Sequence, residues 1–171
     1  MLQVEGLGFA HPAQQGSLRV NGVALTEQPG AYRSQVAWVA PRTQAFDALS
    51  PPACWERRAA STPPGMPQLL VDLIDGLALE PHVPKALYRL SAGTKRKGFL
   101  AGSLVSGSAV TLLDEPFAAL DRASMDLLLA LLHEATTHPS RAWVLADYVA
   151  PRGVALGGGG GVGGAGGKRT V

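Results

Sequence analysis

At 171 residues, the chain is long enough for one domain with a buried core and too short for two ordinary ones. Its 15 Lys and Arg against 13 Asp and Glu leave a net charge of +2 with no long run of one sign, which argues against the basic stripe of a nucleic-acid surface. One cysteine, Cys54, excludes an internal disulfide framework and any multi-cysteine metal site, and it reads as a partly exposed thiol in a Pro-rich loop.

Residues 1–12, MLQVEGLGFAHP, lack the basic-then-apolar layout of a signal peptide, and no apolar run reaches the length of a membrane span. A cytoplasmic protein, peripheral to a membrane through a partner, is the expectation. Residues 2–11 alternate loosely and end in His11-Pro12, an edge strand and then a loop. Residues 17–25, SLRVNGVAL, place Asn21-Gly22 between apolar runs, the signal of a hairpin with a type I′ turn. A third strand is expected over 35–39. Six prolines between Pro41 and Pro67 then break regular structure, leaving loop with at most a short helix near 53–60.

Leu69, Leu70, Leu73, Ile74 and Leu77 recur at i, i+3, i+4 spacing and predict an amphipathic helix. Ser91 can cap a second helix running to about Val105. Residues 110–113 form a short apolar run entering two acids, the pattern of a buried parallel strand. Asp121 then caps a helix with Met125, Leu128, Leu129 and Leu132 on one face, and residues 142–146 (AWVLA) read as another buried strand. Residues 157–167 hold nine glycines in eleven positions, a composition expected to stay flexible. Strands alternating with helices predict an α/β domain with a mainly parallel sheet and flanking helices.

Residues 90–121 carry the chemistry. They read LSAGTKRK, an apolar run, then VTLLDEPFAALD, with 24 residues from Leu90 to Asp114. Asp114 and Glu115 fall at the carboxyl end of a predicted strand, where open α/β sheets place their ligand crevices. Two acids after an apolar run are common by themselves. Pro116 and the following FAALD make the pattern specific. Together these blocks resemble the signature motif, Walker B strand and D-loop of an ATP-binding cassette (ABC) ATPase, a P-loop NTPase family.

The resemblance implies roles. Asp114 would hold Mg²⁺, Glu115 would polarise the attacking water, and Asp121 would be the D-loop acid at a dimer seam. Phosphoryl transfer uses a metal to neutralise developing charge and a carboxylate to orient the nucleophile. Ser91, Ala92, Gly93 and Thr94 would form the phosphate-binding signature edge at a helix N-terminus, serving ATP held by the opposite subunit of a dimer. Ala92 replaces the commoner glycine and Thr94 the commoner glutamine. His11 falls where the adenine-stacking aromatic lies. Lys95, Arg96 and Lys97 read either as a solvated helix face or as phosphate-steering charge.

Three parts of the family pattern are missing. No G-x-x-x-x-G-K-[ST] phosphate loop occurs; the chain passes from Phe9-Ala10-His11-Pro12 almost directly to Gly16-Ser17-Leu18, as if the Walker A strand, loop and helix had been deleted. The Q-loop glutamine is absent near Pro41, with Gln44 the nearest substitute. The switch histidine is replaced by Ala146-Asp147, and His138 precedes the strand instead of following it, as a surface loop residue would. Residues 161–170, GVGGAGGKRT, mimic a phosphate loop, but the glycine spacing is wrong and no helix follows. In the family the missing strand is expected beside the Walker B strand, so its loss should open two strand edges and weaken the fold.

The domain expected is therefore an ABC ATPase-like unit over 1–156, with a helical subdomain at about 67–106 and a disordered tail over 157–171. The resemblance implies an ATP-binding subunit of a membrane transporter, truncated or degenerate, with a transmembrane subunit and a homodimeric or heterodimeric cassette as partners, and ATP with Mg²⁺ as ligands. Alternatives are a non-catalytic subunit supplying the signature motif in trans to a complete cassette, and the non-functional product of a damaged gene.

Overall fold

Asn21 and Gly22 adopt φ of 49° and 80°, the pair of positive values a type I′ turn demands, and they close an antiparallel hairpin between β1 (Arg19–Val20) and β2 (Val23–Ala24). The computed structural model describes residues 19–38, 43–138, 140–149, 153–154, 160–161 and 169–170. The strand expected over 2–11, with His11, lies outside the described residues, as do the glycine-rich residues 162–168.

After the hairpin, α1 (Pro29–Ser34) is a short helix with proline in its first turn, too brief for any periodicity to mark it in the sequence. β3 (Val36–Ala37) follows. The Pro-rich stretch is more ordered than its composition suggests: α2 spans Pro51–Ala59, started by two prolines in the first turn and by Ser50, whose hydroxyl accepts from the Ala53 N–H. Proline's fixed φ suits a first helical turn, so the breaker signal here marks a beginning. Cys54 is buried in this helix, not half-exposed on a loop, and burial pushes its thiol pKa up.

α3 (Pro67–Gly76) and α4 (Ala92–Leu104) match the expected helices, and α5 (Arg122–Ala135) begins at the Asp121 cap. Its buried stripe is Ser124, Leu128 and Leu132, flanked by Leu127 and Leu131. Met125 and Leu129 turn only half inward, because α5 is rotated to lay Leu127 over Gly76 of α3.

β4 (Val110–Asp114) and β5 (Ala142–Asp147) are parallel over five residue pairs, and β3 flanks β4 on its other side, also in parallel. β4 thereby has a partner on each side, β5 along all five residues and β3 at Val110 and Thr111. The expectation that a missing strand would open edges beside the strand carrying the acids is corrected on the β5 side and at the start of β4 on the other. The far side of β5 pairs antiparallel at Ala146–Asp147 with β7 (Arg169–Thr170), which pairs with β6 (Gly160–Gly161). The sheet order is β3-β4-β5-β7-β6.

The main core lies on one face of this sheet, where Leu113 and Leu145 meet Leu73 and Leu77, Leu100 and Leu104, and Leu128 and Leu132. A smaller core, Val20, Tyr32 and Val110, holds the hairpin and α1 to the other face.

Candidate functional site

Every sequence-predicted site residue that is described gathers at two neighbouring features: the N-terminus of α4 and the turn after β4. Ser91 caps α4 as expected, accepting from the Thr94 N–H at 3.1 Å, with the Thr94 hydroxyl 2.8 Å from its own. The hydroxyl of Ser91 and the N–H of Thr94 are thus committed to the cap. Helix geometry leaves the N–H groups of Ala92 and Gly93 without intrahelical partners, an anion-favouring end. Ser91 and Ala92 are exposed.

β4 delivers Asp114 and Glu115 to the carboxyl end of the sheet, half-buried. Glu115 leaves the strand with φ of 46° and Ala119 has 60°, so two non-glycine residues bracket a turn in the left-handed region. Each such residue costs on the order of 1–3 kcal/mol and persists only where surrounding contacts enforce it. Here they do. The Glu115 N–H donates to the Ala146 carbonyl at 2.7 Å, and the Glu115 carbonyl accepts from the Ala118 N–H at 3.1 Å and from the Arg96 guanidinium. Asp121 closes the turn by accepting from the Ser124 N–H at 2.9 Å.

The start of α4 and the turn touch directly. A Cβ on Gly93 would stand 2.8 Å from the Ala119 carbonyl oxygen, closer than real Cβ contacts allow. The glycine is therefore demanded by this backbone approach within the chain, a reason independent of any phosphate. Lys97 donates to the Asp121 carboxylate and, at 3.1 Å, to the Leu77 carbonyl at the end of α3. The Lys97 hydrogen bond, with the Ser124 N–H, holds the Asp121 carboxyl well below the usual carboxylate range. Lys95 pairs with Asp47. The three cations are thus neither a solvated face nor loose charge. Each is tied to a different neighbour.

A cavity of about 30 Å³, room for one water, lies between α4 and β4 beside Arg96, Ser103, Asp114 and Pro116. Among the described residues no group of three or more His, Cys, Asp or Glu could hold a metal. Mg²⁺ is commonly bound by one or two carboxylates completed by nucleotide phosphates and water. Asp114 with its neighbour Glu115 fits an ion arriving with a nucleotide and does not form an all-protein cage. Gln44 is exposed, and its carbonyl accepts from the Asp47 N–H at 3.1 Å. His138 is exposed on the loop before β5, with Nδ1 accepting from the Ser140 N–H at 3.3 Å.

No family model matches the chain. Among curated proteins, the cytochrome c biogenesis ATP-binding export protein CcmA of Wolbachia pipientis is 32% identical over 129 residues, 75% of this chain and 61% of CcmA. The chain belongs to the ABC ATPase superfamily. The thiamine import ATP-binding protein ThiQ of Photorhabdus laumondii is 30% identical over 128 residues, covering 71% of this chain and 53% of ThiQ. The fold agrees with that of the ATP-binding cassette MJ0796, solved as a dimer in a post-hydrolysis state with ADP and phosphate, at a TM-score of 0.63 and 16% identity over 77% of this chain and 62% of that one. The chain spans between half and two thirds of the length of these three proteins.

The staples Arg96 and Lys97, and the Gly93–Ala119 contact, escape sequence reading. The only signal was the adjacency of cations to the signature, and nothing in a linear sequence says that Lys97 will meet Asp121 across 24 residues.

Proposed function

We propose that this chain is a truncated ATP-binding subunit of a membrane transporter, which presents a signature edge and a Walker B pair but turns over little ATP by itself. The observation that carries the proposal is the assembly of Ser91, Gly93, Glu115 and Asp121 along one seam where α4 meets the turn after β4, formed without any contribution from a phosphate loop. Asp114 takes the role of magnesium ligand and Glu115 that of the residue orienting water, in the manner of phosphoryl-transfer sites generally. No helix among the described residues is long and apolar enough to cross a membrane. The transporter reading itself assigns attachment to a transmembrane partner, with the domain on the cytoplasmic side.

The exposure of Ser91 and Ala92 favours one form of this reading, in which the signature edge serves ATP held by a complete cassette. Cargo is not assigned: CcmA is named for export and ThiQ for thiamine import, and the shared motifs contact nucleotide. The test is ATP hydrolysis by the purified chain beside a Glu115→Gln control. Turnover at the background of the control is expected. Robust turnover abolished by the substitution would contradict the truncated reading.

A further inference from the structure

Lys95, Arg96 and Lys97 are consecutive on α4, and successive helical residues point about 100° apart around the axis. Their heads accordingly reach separate partners: Asp47 for Lys95, the Glu115 carbonyl for Arg96, and the Asp121 carboxylate with the Leu77 carbonyl for Lys97. Arg96 and Lys97 grip the two ends of the same turn, residues 115–121. Between those ends Gly93 lies against the Ala119 carbonyl. The Lys97 side chain is only 12% exposed, whereas Asp121 is 57% exposed, so the cation is the fixed member of the pair and the acid comes to it. Glu115 and Ala119 both sit at positive φ, a backbone that relaxes unless held.

We infer that Arg96 and Lys97 are positioning residues that clamp the 115–121 turn onto α4, so that the signature edge and the acids at either end of the turn present to a nucleotide as one body. Arg96 acts on the main chain of Glu115. It thereby fixes where the Glu115 side chain leaves the backbone. Lys97 fixes Asp121 and, through Leu77, ties the same unit to the end of α3. This inference rests on the proposed function only for its second readout.

The first readout is hydrogen exchange of the amides in residues 115–121, measured on the whole chain without nucleotide. Arg96→Met and Lys97→Met should speed exchange there by about tenfold while leaving the β4 and β5 amides protected, because the turn opens locally when its contacts are removed. Lys97→Arg, which keeps a donor for both Asp121 and Leu77, should restore slow exchange. The second readout is ATP-dependent association with a complete cassette from the same genome, expected to weaken at least tenfold in the two Met variants and to recover in Lys97→Arg. Unchanged exchange in both Met variants overturns the clamp. Faster exchange with wild-type association overturns its role in presenting the edge. The exchange readout needs no partner or nucleotide. A wild-type chain that fails to associate therefore removes the functional reading alone, and the clamp is then decided by exchange.

Discussion

Gly93 shows how one position can be constrained twice. A signature glycine is expected to let an anion approach the helix end, yet the Ala119 carbonyl already stands where a Cβ would go. Gly93→Ala should therefore destabilise the isolated chain, by about 1–3 kcal/mol as for other overpacked sites. The shift is read as a lower urea midpoint without nucleotide, and an unchanged midpoint would return the glycine to an anion-binding role alone. Asp121 gives a pH signature. Lys97 and the Ser124 N–H depress its folded-state pKa below the unfolded value. Its contribution is fully present above the ordinary carboxylate range and drains as pH falls below about 4. Thermal melts from pH 6 to pH 2 should accordingly steepen less on the acid side in Asp121→Asn than in the parent; identical profiles would mean that the ion pair does not form in solution.

At the scale of elements, α2 and α4 meet through Trp55, whose indole N–H donates to the Gly98 carbonyl at 2.8 Å and whose ring lies against Gly102. A Cβ at Gly102 would come within 2.6 Å of the Trp55 ring, so Gly102 leaves the room that seats it, while Gly98, one turn earlier, faces Pro51. Gly102→Ala should displace the indole, lowering stability by about 1–3 kcal/mol and shifting Trp55 emission to the red. Retained emission and stability would show that α2 adjusts. The elements that could be read from the sequence are those with local chemistry: the Asn21-Gly22 turn, the Ser91 and Asp121 caps, and the apolar run of β4. Those that could not depend on distant partners. α2 hides behind prolines that turn out to start it, and the phase of α5 is set by packing on Gly76, not by its own leucine pattern.

For the whole molecule, the parallel ladder of β3, β4 and β5 forms although the chain carries no Walker A motif. β4 keeps β5 as a ladder partner through Asp114 and β3 at its first two residues, which leaves the acidic pair at the sheet's carboxyl end. Motif spacing sufficed for the family, for the strand that ends at Asp114 and for the helix that starts after Ser91. It said nothing of how the signature helix and the turn are fastened together, because that fastening joins residues 24 positions apart through side chains that no motif specifies.

The most direct test of the account is to mix the purified chain with a complete cassette from the same genome, held from hydrolysis by replacing its Walker B glutamate, and to measure molecular mass with and without ATP and Mg²⁺. The account predicts a one-to-one complex that forms only with nucleotide and is lost in a Ser91→Arg variant of this chain. Absence of any ATP-dependent complex, or one that Ser91→Arg leaves intact, would contradict it.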